Sequence, residues 1–576
     1  MARVAAVQFA SGTNVEANLA TCLRMIDQAA RVAPDIMVLP EFCNHISWYD
    51  DAEHAWEVSV SRDGDFLAAI ADRAARHKSY IVINVSLRGE ACLTVSSILF
   101  DPAGQLVSIA DKQTLMGHEN TWFARADTTS DVVSTPWGRI AMFPCRDGVT
   151  FETPRGLALR GAQLFCDSLN SFALDEASLH VPARAPENKV FLASANKVGP
   201  LIPEALLEPV SAETHIPIEL LYGAGESQIV APDGRVLARA PRGEEAVIHA
   251  DIDLSDADNK RRPDGSDILR LRRPGLYDAI ASETSGPIAG PAREELQVAT
   301  LLPPSRSEEA LDWLAAAVDS LPADTALAVL PALFCYTEFC SADLVSATEQ
   351  EAIALGQRAI EALASACEGR PDLLLCTTLV LPDEANSSLN AVLVGEAGLR
   401  AKQPQLHSSA SYSAHQPGDV LGLVDLPWGR LALVAGDDAI VPEVAKMAAL
   451  AGAHVLAMPF QLQEDWERDF GLPSRAAENR VCIVASSRPH NGRAGMIATL
   501  QREFTIMTPW HDRQFDGRIN EPLIIDQDPN VSVVTGTIHP SAACNKLMSE
   551  ATDLLLDRPW HLSNDLLRTD LPGESA

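Results

Sequence analysis

Residues 137–147, WGRIAMFPCRD, hold a short apolar run that ends in a cysteine, and their first three residues occur twice in the chain. Trp137-Gly138-Arg139 reappears as Trp428-Gly429-Arg430, which is an offset of 291 residues. The same offset relates residues 184–188 (RAPEN) to 475–479 (RAAEN), and residues 39–40 to 330–331 (LP in both). Because repeats that keep their order and spacing mark duplicated structural units, the sequence predicts two copies of one fold.

In the first copy, apolar strand-like runs alternate with helix-like stretches. The strand-like runs are AAVQF, DIMVLP, SYIVINVSL, SSILFD, RIAMFP and VFLASAN, and the helix-like stretches cover residues 17–32, 66–77 and 153–162. This alternation predicts an α/β layered fold with catalytic side chains at the strand ends. The predicted domains are a catalytic one at residues 1–280 and a second one at 293–576, joined by a small-residue linker at 281–292.

The composition is that of a globular protein with a strong excess of acidic residues. The 576 residues exceed what one hydrophobic core supports, and the formal net charge is −33. Such a charge repels nucleic acid and anionic membrane surfaces, so neither is an expected partner. No apolar run approaches the ~20 residues that span a bilayer, and no secretion signal is recognised. Eleven scattered cysteines without metal-ligand spacing predict reduced thiols, a cytoplasmic location and no metal site.

Three residues of the first copy, Glu41, Lys112 and Cys145, each follow a predicted strand. If the strands are neighbours, their side chains meet at one edge of the sheet. A buried carboxylate can act as a base, and a nearby lysine and helix N-terminus favour a thiolate. The backbone N–H of Arg146 would then help to stabilise an oxyanion. Each residue alone has a plain alternative: a solvated carboxylate, a surface lysine or a small buried thiol.

Together these residues make the first copy resemble the carbon–nitrogen hydrolase, or nitrilase, superfamily. The matching segments are Leu39-Pro40-Glu41-Phe42, Asp111-Lys112 and Pro144-Cys145-Arg146-Asp147, with flanking matches as far as residues 272–277 (RRPGLY). The resemblance implies an αββα sandwich in which Glu41 is the general base, Cys145 is the nucleophile and Lys112 holds the developing negative charge. It also implies a covalent thioester or thioimidate and no metal or organic cofactor.

Further site residues are expected on the loops of the first copy. Many members of the family carry a second glutamate shortly after the lysine, and Glu119 is the candidate for that role, with a surface carboxylate as the alternative. The candidate substrate-binding residues are Arg146, Trp48, Tyr49, Trp122 and Asn170. The aromatic rings would form an apolar wall. Arg146 would meet a substrate carboxylate unless Asp147 or Glu152 holds it.

The second copy lacks the catalytic residues. At the offset of 291, Ala332 stands for Glu41 and Gly436 for Cys145, whereas Lys402-Gln403 is aligned with Lys112-Gln113. The second domain is therefore predicted to have the fold without the triad. As an alternative, its vacated pocket binds a ligand through residues after the strands, namely His407, His415, Asp437 and Asp438.

The resemblance also bears on assembly and substrate. Because members of the family pair as dimers, the tandem chain is expected to form an internal pseudo-dimer in which residues 553–567 lie near the contact, and a further homo-oligomer is possible. The expected substrate is a small-molecule amide or N-carbamoyl compound, since most branches of the family cleave amides. Nitrile hydrolysis, acyl transfer to an amine and a non-catalytic scaffold role stay open as alternatives.

Overall fold

The structure is a computed structural model that describes residues 1–284, 289–337, 346–383, 387–410 and 416–571. Its contacts divide the chain into two compact units. Unit 1 comprises Met1–Lys260, Glu503–Ile519 and Leu547–Ala576, and unit 2 comprises Arg261–Arg502 and Asn520–Lys546. The predicted domains 1–280 and 293–576 describe homology along the sequence rather than contact, so their bounds, the 281–292 linker and the internal pseudo-dimer stay predictions.

Unit 1 contains two β-sheets. The strands of the first sheet, in chain order, are β1 (Ala2–Gln8), β2 (Ile36–Val38), β3 (Val60–Ser61), β4 (Tyr80–Arg88), β5 (Leu93–Phe100), β6 (Leu106–Asp111) and β13 (Ala246–Ile252). The strands of the second sheet are β7 (Val132–Thr135), β8 (Gly138–Pro144), β9 (Leu164–Ser168), β10 (Phe191–Ala195), β11 (Gln228–Val230) and β12 (Val236–Arg239). The spatial orders are β13-β1-β2-β4-β5-β6, with β3 beside β4, and β12-β11-β10-β9-β8-β7.

The parallel strands of both sheets end at the edge that carries the site. β1, β2 and β4 run parallel to one another, as do β8, β9 and β10. β6 is antiparallel to β5, which is antiparallel to β4, so β6 runs in the same direction as β4. The residues that follow β2 and β6 therefore lie at one edge of the first sheet, and those that follow β8 and β9 lie at one edge of the second.

The two sheets of unit 1 pack face to face between two layers of helices. Alternate residues such as Val4 and Ala6 of β1 meet Ile140 and Met142 of β8 in the core between the sheets. The helices of this unit are α1 (Val15–Ala29), α2 (Ala52–Val58), α3 (Asp65–His77), α4 (Glu119–Trp122), α5 (Glu152–Leu159), α6 (Val181–Arg184) and α7 (Leu207–Thr214). Apolar side chains of α1 and α3 cover the outer face of the first sheet, and those of α5 and α6 cover the second. This is an αββα sandwich.

Unit 2 repeats this topology. Its first sheet has β14 (Leu296–Leu301), β15 (Thr325–Ala332), β16 (Leu374–Pro382), β17 (Ser387–Gly395), β18 (Gly398–Pro404) and β25 (Val533–Ile538). Its second sheet has β19 (Leu423–Leu426), β20 (Gly429–Leu433), β21 (Val455–Pro459), β22 (Cys482–Ser486), β23 (Met496–Thr499) and β24 (Leu523–Asp526). The orders β25-β14-β15-β16-β17-β18 and β24-β23-β22-β21-β20-β19 match those of unit 1 strand for strand. The described helices are α8 (Glu309–Asp319), α9 (Ser346–Ala366), α10 (Pro442–Leu450) and α11 (Leu472–Asn479).

The repeat extends to unusual backbone conformations. Several pairs of residues at the offset of 291 share a positive φ, which residues other than glycine rarely adopt. Among them are Phe42 and Leu333 (54° and 51°), Cys145 and Gly436 (46° and 54°), and Lys189 and Arg480 (49° and 49°). These shared turns support the prediction of two copies of one fold.

Two strands complete unit 1, β26 (Leu547–Ser549) and β27 (Thr552–Asp553), which pair with each other near the carboxyl end of the chain. Across the described part of the chain, no helix is both long and apolar enough to cross a bilayer.

Candidate active site

Glu41 lies just beyond the end of β2. Its backbone N–H donates to the Leu169 carbonyl oxygen at 3.1 Å, and the hydroxyl of Ser168 donates to the Leu39 carbonyl oxygen at 2.8 Å. These bonds tie the turn after β2 to the end of β9 in the second sheet. The Glu41 carboxylate is thereby held in the interior, with 1% of the residue exposed.

Lys112, the first residue after β6, lies between two carboxylates. Its Nζ donates to Glu41 Oε1 at 2.8 Å and lies 2.9 Å from Glu119 Oε2. Glu119 also binds its own loop, because its Oε2 accepts the backbone N–H of Met116 at 2.8 Å, just before α4. The structure thus brings together Glu41, Lys112 and Glu119, three residues that the sequence predicted for one site.

Cys145 stands at the turn between β8 and the short 3₁₀ helix Cys145–Gly148. Its φ of 46° is a strained value for a residue with a side chain, of the kind that concentrates at functional sites. Its backbone N–H donates to Asp167 Oδ1 at 3.1 Å, and 8% of the residue is exposed. The next N–H, that of Arg146, makes no hydrogen bond with a described residue, as expected in the first turn of a helix. It is available for an oxyanion.

Asp147 joins the lysine loop to the cysteine turn. Its two carboxylate oxygens accept the backbone N–H groups of Gln113 and Thr114, both at 2.8 Å. The residues that directly follow Lys112 are therefore fixed against the residues that directly follow Cys145. Burial raises the pKa of Asp147 to about 6, and the two N–H groups oppose that rise.

The electrostatics of the predicted triad favour proton transfer. Burial raises the pKa of Glu41 to about 7, against the opposing charge of Lys112. Burial and the Glu41 charge hold the pKa of the Cys145 thiol well above its usual value, although Lys112 and the Asn170 backbone N–H act in the opposite direction. The pKa of Lys112 is raised by Glu119, Glu41 and Cys145 against the effect of burial. The resting state therefore has a neutral thiol beside a carboxylate that can take its proton near neutral pH.

The predicted substrate-binding residues fall into two groups. Tyr49 and Trp122 belong to an apolar cluster around Phe42 and Phe123, in which the Tyr49 ring centroid lies 5.6 Å from that of Phe123. Trp48 is half-buried, and its ring lies 5.9 Å from that of His118. The structure therefore gives these aromatic side chains packing contacts, and a substrate contact stays a prediction for each of them.

Arg146 and Asn170 lie beside the thiol. The Asn170 backbone N–H lowers the pKa of the Cys145 thiol. The side-chain Oδ1 of Asn170 is buried without a hydrogen bond to a described residue. The Arg146 guanidinium is buried, and burial lowers its pKa. Cys145 is among the groups whose negative charge opposes that shift.

Two buried charged residues were missed by sequence reasoning. Glu176 begins the π-helical turn Glu176–His180. Its negative charge raises the pKa of both Cys145 and Arg146. Lys197 is completely buried, and its Nζ lies 5.9 Å from the centroid of the Phe42 ring. Lys197 lies in residues 196–199 (NKVG), one of the flanking segments that resemble the family, but the resemblance assigns it no role. Glu176 has no recognisable motif around it.

Unit 2 differs from unit 1 at all three triad positions. Ala332 occupies the place of Glu41, because its N–H points to the Phe460 carbonyl as that of Glu41 does to Leu169. Gly436 occupies the place of Cys145. The expected pairing of Lys402 with Lys112 is wrong, since Lys402 is an exposed residue within β18.

Gln405 is the structural counterpart of Lys112. Asp438 accepts the N–H groups of the two residues that follow Gln405, Leu406 and His407, just as Asp147 accepts those that follow Lys112. A Cβ added at Gly436 would lie 3.0 Å from Gln405 Oε1, so the glutamine reaches the position of the lost cysteine. From Ala332 to Gln405 is 73 residues, against 71 from Glu41 to Lys112, so the segment between these positions is two residues longer in unit 2 and the alignment shifts.

Most of the groups proposed for a ligand pocket in unit 2 are paired within that unit. Arg262 donates to Glu467 at 2.7 Å and lies 3.1 Å from Asp437, with its side chain fully buried. His407 Nδ1 lies 2.7 Å from Asp438 Oδ1, and its Nε2 lies 2.6 Å from the Tyr277 hydroxyl. His415 lies outside the described residues.

Among the described residues, no three histidine, cysteine, aspartate or glutamate side chains lie together so that they could hold a metal ion.

Comparison with known proteins matches residues 3–262 to the family model described as carbon-nitrogen hydrolase. A nitrilase from Pyrococcus abyssi is 27% identical over 261 residues, which are 45% of this chain and 92% of that protein. An N-carbamoylputrescine amidase from Solanum lycopersicum is 27% identical over 304 residues, which are 50% of this chain and 97% of that protein. A crystal structure of an amidase from Nesterenkonia sp. has 22% identity and a TM-score of 0.38, and covers 45% of this chain and 93% of that one.

Proposed function

We propose that the chain cleaves an amide or N-carbamoyl group of a small molecule through a thioester on Cys145, as the match of residues 3–262 to the carbon-nitrogen hydrolase family model supports. The observation that carries this proposal is the position of the Lys112 ammonium, 2.8 Å from Glu41 and 2.9 Å from Glu119, at the sheet edge where Cys145 begins a turn. A buried ammonium, carboxylate and thiol in electrostatic contact form the set that covalent acyl transfer requires.

In the first half of the reaction, the Glu41 carboxylate takes the proton of the Cys145 thiol while the sulfur attacks the carbonyl carbon. The carbonyl oxygen becomes an oxyanion, which the Lys112 ammonium and the Arg146 backbone N–H stabilise. The C–N bond then breaks, Glu41 returns the proton to the departing nitrogen, and ammonia or an amine leaves. The thioester remains on Cys145.

In the second half, the Glu41 carboxylate takes a proton from water, and the hydroxide adds to the thioester carbon. Collapse of the second oxyanion breaks the C–S bond, and Glu41 gives its proton back to the sulfur. Because the pKa of Glu41 is about 7, the same carboxyl group can serve as base and acid in turn.

We propose an amide or carbamoyl substrate for this chain rather than a nitrile. The similarity to an N-carbamoylputrescine amidase supports that choice, whereas the similarity to a nitrilase keeps nitriles in the test panel. Attack on a nitrile would form a thioimidate at the same sulfur, so the products distinguish the two reactions.

The test is ammonia release from a panel of amides, N-carbamoyl compounds and nitriles, with and without an added amine. Cys145→Ala should abolish release, and mass spectrometry of the wild-type protein should find an acyl group on Cys145. Cys92→Ala is the matched control, because Cys92 is an exposed free cysteine, and it should retain full activity. Acyl-amine product would indicate transfer. Ammonia release that persists in Cys145→Ala would refute the proposed hydrolysis at Cys145. A Cys145 thiol that iodoacetamide never labels would also refute it.

A further inference from the structure

Arg146 is a buried cation that has no paired anion among the described residues. It is only 3% exposed, and its Nε and Nη1 are buried without a hydrogen bond to any described residue. No carboxylate oxygen of the described chain lies within ion-pair distance of it, although Asp147, Glu152 and Glu176 act on it from farther away. A guanidinium normally meets a partner when it is buried, because desolvation of an unpaired charge is costly.

The neighbouring carboxylate is occupied elsewhere. The two oxygens of Asp147 accept Gln113 and Thr114, so the adjacent residue does not hold the guanidinium. Arg146 directly follows the proposed nucleophile, and ionisation of the Cys145 thiol would raise the pKa of the guanidinium. An unpaired donor set therefore lies within one residue of the reacting sulfur.

We propose that the Arg146 guanidinium binds a carboxylate of the substrate, so that the substrate is an anionic amide or carbamoyl compound with a short chain between its two ends. This inference rests on the proposed hydrolysis at Cys145 and names its substrate class. The planar guanidinium presents parallel N–H donors that match a carboxylate in two-point contact, which a lysine would not reproduce.

Glu176 is the second buried polar group beside Arg146. Its carboxyl group makes no hydrogen bond or ion pair with a described residue, and burial raises its pKa to about 8, with Arg146 opposing. Below that pH its protonated form can donate a hydrogen bond to the same substrate carboxylate. If Glu176 instead received a substrate ammonium, the preferred substrate would be a cation, and the experiment distinguishes these cases.

The experiment compares three amides of similar size on the full chain: succinamate (anionic), succinamide (neutral) and 3-aminopropanamide (cationic). The wild-type kcat/KM should favour succinamate over succinamide by about 10- to 100-fold, as expected for charge-assisted hydrogen bonds. Arg146→Met should bring that ratio close to one mainly through KM, and Arg146→Lys should restore part of it. Arg235→Met, which removes an exposed arginine paired with Asp233, should leave the ratio unchanged.

A ratio near one in the wild type, or one that Arg146→Met does not change, overturns the inference while the hydrolase function stands. A preference for 3-aminopropanamide that Glu176→Gln removes also overturns it.

Calorimetry on Cys145→Ala separates the inference from the reaction. If no amide is turned over, binding of succinamate that Cys145→Ala/Arg146→Met loses supports the carboxylate site alone. Absence of binding by malonamate, succinamate and glutaramate overturns it.

Discussion

The hydroxyl of Thr552 donates a hydrogen bond to the carbonyl oxygen of Leu115 at 2.8 Å, across 437 positions of sequence. The Ser549 hydroxyl accepts the N–H of Gly117 at 2.9 Å in the same place. The loop that these bonds brace carries Glu119, whose carboxylate contacts the Lys112 ammonium. The β26–β27 hairpin, near the carboxyl end of the chain, thus supports the proposed active site in unit 1.

Thr552→Val should lower kcat about 2- to 10-fold, because loss of one buried hydrogen bond of about 0.5–1.5 kcal/mol loosens the loop that holds Glu119. The measurement is kcat and KM on the best amide of the panel. Thr508→Val, which removes an exposed hydroxyl bonded to the Thr505 carbonyl, is the control and should leave kcat unchanged. An unaltered kcat in Thr552→Val would show that the hairpin contributes only to stability.

A fragment of residues 1–280 should be insoluble or inactive. Unit 1 buries apolar side chains supplied by residues 503–519 and 547–571, namely Phe504, Trp510, Phe515, Ile519, Met548 and Leu554. Each such burial is worth about 1.5–3 kcal/mol, and the fragment would expose their partners to water. Expression, gel filtration and ammonia release compare the fragment with the full chain. A soluble fragment of full activity would contradict the role given to these segments.

The pH dependence of kcat/KM should show an acid limb near pH 7. Glu41 must be ionised to accept the thiol proton, and its pKa is raised to about 7, so activity falls as the pH decreases through that value. The charge of Lys197 lowers the pKa of Glu41. Lys197→Met should therefore move the acid limb to higher pH, which a merely structural role would not do.

The melting temperature of Lys197→Met should not fall, since the substitution removes a buried ammonium whose Nζ has no hydrogen bond to a described residue. Lys402→Met is the matched control, because Lys402 is exposed on β18 of unit 2, and it should leave both the pH profile and the melting temperature unchanged. An acid limb that stays in place in Lys197→Met would exclude this electrostatic role.

Arg262→Met should destabilise the protein by about 3–5 kcal/mol, because Glu467 and Asp437 would remain buried without their cation. Burial already raises the pKa of Glu467 against the effect of Arg262. Without the arginine its charged form is penalised further, so the loss should shrink as the pH decreases. Calorimetric unfolding at pH 7 and pH 5 measures this, with Arg430→Met, an exposed ion pair, as the control. The double variant Arg262→Met/Glu467→Gln should recover part of the loss.

The duplicated fold was predictable because it depends on local patterns. Buried strands and their turns leave apolar runs and recurring words such as Trp-Gly-Arg at a fixed offset, and the strand orders of the two units agree with that repeat. The positions of Glu41 and Cys145 followed from the same logic, since each stands where a strand ends. The offset also identified Ala332 and Gly436 as their counterparts.

The match of Lys402 to Lys112 failed for a physical reason. The repeated Lys-Gln pair does not mark equivalent positions, because unit 2 has two more residues than unit 1 between Ala332 and Gln405, and Lys402 therefore lies exposed on β18. The hydrogen bonds that Asp147 and Asp438 accept from backbone N–H groups identify Lys112 and Gln405 as equivalent positions. Such bonds leave no pattern in the sequence.

The sequence by itself determined that the chain has two α/β copies, that the first carries a carboxylate, an ammonium and a thiol at strand ends, and that the second lacks the carboxylate and the thiol. Only the tertiary structure decided that Arg146 is buried without a partner among the described residues, that Glu176 and Lys197 are buried within electrostatic range of Glu41, and that residues 547–553 brace the loop of Glu119. Strand ends are encoded by neighbouring residues. Desolvation and the pairing of charges depend instead on segments that are distant in sequence and meet only when the chain has folded.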